Sequence, residues 1–201
     1  MDKEMMNFYK SALLGTVTQQ PLCNEYKNEW RSCGADKEKL LKFALRQQSL
    51  PFLFTYSFNG MGLSKEYLLK EYKDYINGAY CVKDADMVQG YTYMLNVDYK
   101  GQYTQNIDVS AFMYTMDASV VVPLTKCPSY FVGCSSDIHF GLEGYNSVRI
   151  YLYDNSKVTI EYCDEESDVT IYKYSEDAEV EIGKYCFGKV REFNKDLRLQ
   201  L

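Results

Sequence analysis

The stretch that decides the fold is 148–199, which divides into five similar units: VRIYLYDNSK (148–157), VTIEYCDEESD (158–168), VTIYKYSEDAE (169–179), VEIGKYCFGK (180–189) and VREFNKDLRL (190–199). Each unit opens with alternating apolar and polar residues and then breaks into Asp, Asn, Ser, Glu or Gly, the pattern of a short strand followed by a turn. Self-similarity at a short fixed period is typical of stacked units that bury a face only against their neighbours. The stretch therefore predicts a small β-solenoid.

The period extends upstream, because an apolar β-branched or aromatic residue opens each short run from residue 109 onward. These residues are Val109, Val120, Tyr130, Ile138, Val148, Val158, Val169, Val180 and Val190. Alternate units match better than adjacent ones: those at Val148, Val169 and Val190 share V-x-[IE]-[YF] at a spacing of 21 residues. We therefore predict a coil of about 21 residues, with two strands, two turns and two parallel sheets.

This register sorts the side chains of the units into inner and outer faces. The inner residues are Val148, Ile150, Val158, Ile160, Val169, Ile171, Val180 and Ile182. On one outer face the register predicts two aromatic ladders, Tyr151, Tyr172 and Phe193 in the first and Tyr153 and Tyr174 in the second. Neighbouring strands lie ~4.8 Å apart, within stacking range of aromatic rings. This tyrosine-lined face is the candidate binding face.

An antiparallel β-meander is the alternative fold, with Asp154-Asn155-Ser156 as a hairpin turn. The meander accounts for the spacing of about 10 residues between strands but not for the likeness between units 21 residues apart. A solenoid also has open ends that require covers. The alternation of Leu197, Leu199 and Leu201 with polar residues predicts a capping strand at one end, and the helical region is the expected cap at the other.

Residues 1–78 carry helical spacing and predict a helical cap or docking region. The apolar stripe of 64–77 follows Ser64, a capping residue, and ends at Gly78. The aromatic stretch 51–62 predicts an extended segment that closes at Asn59-Gly60. The other predicted helices are 36–48 with Asp36 as its cap, Pro21 to about Cys33 with Pro21 at the first helical position, and 3–14.

The remaining segment, 79–108, predicts strands that connect the two parts, the strongest at 91–99 with a turn at Lys100-Gly101. The fold class is accordingly α+β. Its predicted organisation is a helical region at 1–78, connecting strands at 79–108 and a β-solenoid at 109–201.

Composition excludes several classes of protein. A 46% apolar and 25% charged composition is that of a globular chain, and a net charge of −6 disfavours nucleic acid as a partner. The seven cysteines contain no C-x-x-C pair, so neither a disulfide framework nor a zinc site is indicated. No segment has the pattern of a signal peptide or the length of a membrane span. We expect a cytoplasmic protein without membrane contact, compatible with later assembly into a virion.

The only histidine, His139, suggests an alternative function as a small enzyme. Cys134 and Asp137 are near it in sequence, and a Cys/His nucleophilic pair oriented by a carboxylate is one interpretation. A surface histidine within a strand is the competing one. The acidic turns at 164–168 and 176–179 lack the glycines of calcium-binding repeats and indicate a solvated edge, so no metal or cofactor is expected.

The segments QQPLCNEYKNEW (19–30), KLLKFALRQQSLPF (39–52) and KVTIEYCDEESDVTIYKYS (157–175) resemble segments of uncharacterised proteins from gut Bacteroidales and their prophages. The C-terminal repeat is also similar to the β-solenoids of phage tail and fibre proteins. These resemblances carry no assigned activity, and they imply a phage or mobile-element product.

The expected function is that of a non-enzymatic structural or interaction protein. Its tyrosine-lined solenoid face would contact a protein or a glycan, because tyrosine provides contact area at low cost in conformational entropy. A homo-oligomer is a further expectation, with that face or a solenoid end as the interface.

Overall fold

A computed structural model describes residues 3–16, 22–46, 49–78, 82–83, 92–104, 107–122 and 127–195. Helices come first and strands follow. The helices are α1 (Lys3–Leu14), α2 (Asn24–Cys33), α3 (Lys37–Ala44), α4 (Leu50–Phe58) and α5 (Lys65–Glu71). The strands are β1 (Val82–Lys83), β2 (Thr92–Val97), β3 (Gln102–Tyr103), β4 (Val109–Met113), β5 (Ala118–Val122), β6 (Ser129–Gly133), β7 (Asp137–Leu142), β8 (Ser147–Leu152), β9 (Lys157–Cys163), β10 (Asp168–Lys173), β11 (Glu179–Cys186) and β12 (Lys189–Asn194).

The strands form two sheets that face each other as a flattened solenoid. Sheet A has the order β1-β2-β4-β6-β8-β10-β12, and sheet B has the order β11-β9-β7-β5-β3. The chain alternates between the sheets, and every described strand pair except β1–β2 is parallel. The predicted solenoid is confirmed and the antiparallel meander is wrong, because a meander would place consecutive strands side by side in one sheet.

The predicted register of 21 residues is confirmed in the last coils. Val148, Val169 and Val190 are partners across sheet A, and Val158 and Val180 are partners across sheet B. The stack of coils begins at β2 and β3, which lie in the stretch expected to connect the two parts. These strands pair in parallel with β4 and β5, respectively.

The inner core lies between the two sheets and is almost wholly apolar. Six of the predicted inner residues are fully buried there: Val148, Ile150, Val158, Ile160, Val169 and Ile171. The prediction is wrong for Ile182, whose side chain is 43% exposed, and Val180 is only partly buried. Both residues belong to β11, the terminal strand of sheet B, so no further described coil covers them.

Hydroxyl groups tie successive coils together at one of the two turns. The Thr115 hydroxyl accepts from the Tyr99 amide at 3.2 Å, Ser136 Oγ accepts from the Thr115 amide at 3.1 Å, and Ser156 Oγ accepts from the Ser136 amide at 3.0 Å. All three hydroxyl residues are buried. The column satisfies backbone N–H groups that the turns remove from the strand ladder, and buried groups of this kind require a partner.

The helices pack on the outer face of sheet A and form a second apolar core with it. This core joins residues of α1 to α5 to Leu95, Val97, Ala111, Met113, Phe131, Tyr151 and Tyr153 of the solenoid. The prediction that 51–62 is extended is wrong. This segment contains most of α4, and seven of the nine residues of that helix are buried. A helix that is apolar all round is one that is covered on all sides, and short apolar runs do not distinguish it from a strand.

The predicted helix 3–14 is confirmed as α1, and the predicted helices α2 and α3 are confirmed in position but are shorter than predicted. Asp36 and Ser64 cap α3 and α5, accepting from the amides of Lys39 and Tyr67. The α2 helix begins at Asn24 after Cys23, and the predicted first residue of this helix, Pro21, lies outside the described residues. Likewise α3 ends at Ala44, short of the predicted 48, and residues 47–48 lie outside the described residues.

The α5 helix ends at Glu71 rather than at the predicted 77. The residues that follow it form a turn in which Asn77 bonds to the edge strand β2 of sheet A. The Asn77 amide donates to the Leu95 carbonyl at 3.0 Å, and the Asn77 side chain exchanges two hydrogen bonds of 2.8 Å with the Val97 backbone. Asn77 adopts φ 56°, and β1 covers the rest of the β2 edge. The turn after α5 therefore covers the edge of β2, whereas most of the helical region lies on the face of sheet A. The predicted cap at the other end, Leu197 to Leu201, lies outside the described residues.

Candidate interaction surface

The outer face of sheet A carries a continuous row of stacked aromatic rings. The Phe131 and Tyr151 rings are 4.4 Å apart with an interplanar angle of 6°. Tyr151 and Tyr172 follow at 5.2 Å, and Tyr172 and Phe193 at 5.9 Å, both at 27°. The predicted ladder is confirmed and begins one coil earlier, at Phe131. We call Phe131, Tyr151, Tyr172 and Phe193 the central row.

A second row runs beside the first and is completed by a helix. Tyr153 and Tyr174 stack at 5.1 Å and 12°, as the register predicts. One coil earlier the solenoid has Gly133, and the Phe54 ring of α4 occupies the space, stacking on Tyr153 at 5.0 Å and 16°. A Cβ at Gly133 would overlap that ring. We call Phe54, Tyr153 and Tyr174 the second row.

The helices divide this face into a covered part and an uncovered part. Tyr151 is only 9% exposed and Tyr153 only 1%, so their expected place in an open binding face is wrong: they pack in the core beneath the helices. Tyr172 and Tyr174 are half-buried, and Phe193 is 45% exposed. Three of the five proposed contact residues therefore remain accessible, all in the last two coils of sheet A. We call Tyr172, Tyr174 and Phe193 the open aromatic patch.

Three tyrosines of the face, Tyr151, Tyr153 and Tyr174, have raised pKa values. Burial raises the pKa of Tyr151, and it raises the pKa of Tyr153 well above its usual value. Burial, followed by the neighbouring Tyr151 and Tyr172 hydroxyls, raises the pKa of Tyr174 to about 12. These three side chains are therefore neutral rings and not phenolates at neutral pH.

Cationic side chains frame the open aromatic patch. Lys195 Nζ lies 5.5 Å from the centre of the Tyr172 ring, in the range of a cation–π contact. Arg149 and Arg191 flank Thr170 in register on the same face, and Arg191 is bound to the Asp168 carboxylate. The patch is thus an apolar surface with a basic rim, within a chain whose net charge is −6.

Of the three residues of the alternative enzyme site, His139 and Asp137 meet, but Cys134 does not join them. Cys134 lies in the turn after β6, buried in the core beneath the helices, where its Sγ contacts the Phe54 carbonyl at 3.7 Å. Burial and the nearby Asp154 carboxylate raise the pKa of its thiol well above the usual value. His139 pairs with Ser119 and Thr159 in sheet B, on the outer side away from the core. A thiolate–imidazole pair is therefore not formed.

His139 is surrounded by carboxylates instead of a nucleophile. Its Nδ1 lies 3.1 Å from Glu161 Oε1, and its Nε2 lies 3.7 Å from Asp117 Oδ1 and 3.9 Å from Asp137 Oδ1. The predicted neighbour Asp137 is thus beside the ring, on the same strand face. The arrangement suits a surface histidine held by acidic neighbours, and it contains no activated nucleophile.

Asp164 of the first acidic turn and Asp154 of the preceding turn in sequence use their carboxylates to hold the backbone of neighbouring turns. Asp164 Oδ2 accepts from the Gly144 amide at 2.5 Å, and Asp154 accepts from the amides of Cys134 and Ser135 at 2.6 and 3.1 Å. Across the described ranges no group of three or more His, Cys, Asp or Glu residues is arranged to hold a metal ion. The turn carboxylates thus act between coils.

Sequence reasoning missed Phe131, Phe54 and Gly133 as parts of the aromatic face. Phe131 lies 20 residues before Tyr151, a spacing one residue shorter than in the later coils, so the 21-residue register passes over it. Phe54 belongs to a helix outside the repeat. The signal in the sequence for its position is Gly133, which stands where the next two coils have Tyr153 and Tyr174.

Comparison of the chain with protein-family models, with curated proteins and with solved structures gave no match in any of the three. The fold itself defines the class: an α+β protein in which the five described helices cover part of one face of a β-solenoid. No helix among the described residues is both long and apolar enough to cross a membrane.

Proposed function

We propose that this chain is a non-enzymatic interaction protein whose open aromatic patch binds a partner protein. The observation that carries the proposal is the continuity of the two aromatic rows. At the start of the rows a helix of the chain itself packs on the rings, since Phe54 of α4 stacks on Tyr153. At the end of the rows aromatic rings of the same kind are accessible. A partner segment with an exposed aromatic or aliphatic side chain would fit on Tyr174 and Phe193 as Phe54 fits on Tyr153.

The chemistry of the patch supports a protein partner. Aromatic residues and arginine are the side chains enriched at the centres of protein interfaces. The basic rim of Arg149 and Lys195 favours a segment that carries acidic residues beside its apolar anchor, because opposite charges at a rim accelerate association. A contact role of this kind is also suited to a structural component of a phage or mobile element.

Site-specific photocrosslinking tests the proposal. A benzophenone side chain at position 172 or 193 should give a discrete crosslinked product in cells that express the protein. The same group at position 145 should not, although Tyr145 is 66% exposed, because it lies in the turn between β7 and β8 and not on the patch. The Phe193→Ser substitution should reduce the product formed from position 172.

Equal crosslinking from positions 172 and 145 would contradict the proposal. A glycan partner is the second outcome, and it would give no protein product but measurable binding on a glycan array that Tyr172→Ala abolishes. Wild-type binding to neither class of molecule would leave the patch without a contact role.

A further inference from the structure

The last coil of the solenoid, at its C-terminal end, has no strand cover within the described chain. At the N-terminal end, β1 and Asn77 satisfy the edge of β2 in sheet A, and the outermost strand of sheet B, β3, has only two residues. At the other end β11 and β12, the outermost strands of sheets B and A, each have one described strand neighbour. Four of the exposed large apolar side chains gather on this last coil: Ile182, Tyr185, Phe187 and Phe193. Exposed edge strands and apolar patches of this kind mark sites of association.

Inner-face residues of the last coil are uncovered as well. Ile182 and Val190 continue the columns of Ile160 and Val169, which are fully buried, yet Ile182 is exposed and Val190 only partly buried. Cys186 continues the column of Cys163 in the same way. The end of the apolar core is therefore open between β11 and β12, and a cover must supply both a strand for each edge and apolar side chains for the interior.

We propose that the cover is a second copy of this chain, joined tail to tail about a twofold axis that runs along the strands. This axis places β11 of one copy beside β12 of the other, and it turns the two strands antiparallel, since β11 and β12 run in opposite directions in their own coil. Each copy contributes one strand to each joint, so the contact is isologous and closes at two copies.

The short connection between β11 and β12 fixes the register of this contact. Only Phe187 and Gly188 separate the two strands, so Cys186 and Val190 lie at the same end of the coil, across the core from each other. The twofold axis therefore sets Val190 opposite Cys186 of the second copy, and it brings Glu192 to the irregular part of the second copy's β11 between Ile182 and Tyr185, which contains Lys184.

Charge complementarity on this register favours a second copy over an unrelated strand. Glu192 occupies an inner-face position, in register with the buried Ile171, and is exposed. Neither Glu192 nor Lys184 forms an ion pair within the described part of the chain. The proposed dimer has two β11–β12 strand pairs, and in each of them Glu192 of one copy lies near Lys184 of the other. The alternative twofold axis, which places β12 beside β12, would bring Lys189, Arg191 and Lys195 of the two copies together.

The test is the solution mass of the full chain by size-exclusion chromatography with light scattering, over a concentration series. The proposal predicts twice the mass of one chain. Lys184→Glu and Glu192→Lys should each halve that mass, because each sets two like charges against each other. The double variant with both changes should restore the dimer, and Glu165→Lys, a charge reversal in an exposed turn, should leave it unchanged. Far-ultraviolet circular dichroism checks the fold of every variant.

Three results would overturn the proposal. A wild-type monomer at every concentration excludes the second copy, and a form truncated after Lys195 that dimerises when the wild type does not would identify residues 196–201 as the cover. Masses that keep rising with concentration would show an open-ended contact instead of a closed pair. A dimer unaffected by Lys184→Glu would show that copies meet elsewhere.

Discussion

The Phe54 ring lies parallel to the Tyr153 ring at 5.0 Å, in the place that a side chain at Gly133 would occupy. A helix therefore supplies a rung that the repeat omits, and this contact fixes the helices to the solenoid. The central row and the second row, on which the helices pack, continue beyond the helices as the open aromatic patch. Intramolecular docking and the proposed intermolecular contact thus use one surface.

Removal of the Phe54 ring should weaken the attachment of the helices. Phe54 is fully buried, and truncation of a buried Phe to Ala costs about 3–5 kcal/mol in the free energy of unfolding. Urea denaturation of Phe54→Ala measures this loss. Phe58→Ala is the matched control in the same helix, because the Phe58 side chain is exposed and its loss should have a small effect. Equal losses for the two variants would show that Phe54 does not fix the helices.

A charge in the inner core should unfold the solenoid, whereas the same charge one residue earlier should be tolerated. Ile171 is fully buried between the sheets, and Thr170 is on the outer face between Arg149 and Arg191. Ile171→Asp places a carboxylate in the core without a partner and should abolish cooperative thermal unfolding. Thr170→Asp should shift the melting temperature little. Similar shifts for the two variants would contradict the register of β10.

Loss of one hydroxyl in the turn column should leave a buried amide without its acceptor. Ser136 Oγ accepts from the Thr115 amide and donates to the Gly133 carbonyl at 2.6 Å. Ser136→Ala should reduce the free energy of unfolding by about 1–3 kcal/mol, the usual cost of a buried unsatisfied group. Ser147→Ala, at an exposed serine, is the control and should be neutral. If the two variants have the same stability in urea, the column does not stabilise the stack.

The Asp154 carboxyl should make stability fall as the pH rises through the acid range. Burial raises its pKa above the ordinary 3.8, although hydrogen bonds from Ser156, Cys134 and Ser135 oppose the rise. The folded state then binds a proton more tightly than the unfolded state, so this group favours folding at low pH and loses that contribution as the pH rises from its unfolded pKa through its folded pKa.

Asp154→Asn removes this titration and isolates it from other groups. The free energy of unfolding of the wild type minus that of the variant should decrease as the pH rises from about 4 toward neutrality. Urea denaturation of both proteins at each pH gives this difference. A difference that increases with pH would mean that the pKa of Asp154 is lowered in the folded protein.

Much of the solenoid follows from its sequence, because strand stacking repeats the same chemistry at the same position. Val148, Val169 and Val190 identify their own register, and Tyr151, Tyr172 and Phe193 then stack by necessity. This logic ends where a repeat meets another element. It cannot show that Tyr153 is buried, since the covering ring belongs to Phe54, which lies about a hundred residues upstream in a segment whose apolar run fits a strand or a buried helix equally.

The Cys134–His139 pair of the enzyme alternative is not formed, for a related reason. Cys134 and His139 are five residues apart in sequence, but a turn separates them and sends them to opposite sides of the solenoid. Alternation predicts that Asp137 and His139 share a face, because both belong to one strand, and this is found. Alternation gives no information across a turn, so the position of Cys134 required the structure.

The central claim is that helices cover the first part of one aromatic face and leave the last part open. Hydroxyl-radical footprinting of the full chain with mass spectrometry measures this directly, residue by residue. We predict fast modification of Phe193, intermediate rates at Tyr172 and Tyr174, and protection of Tyr151 and Tyr153, with Tyr145 as the exposed reference. Equal rates along the central row, from Tyr151 to Phe193, would contradict the account, because they would mean that the helices do not lie on this face.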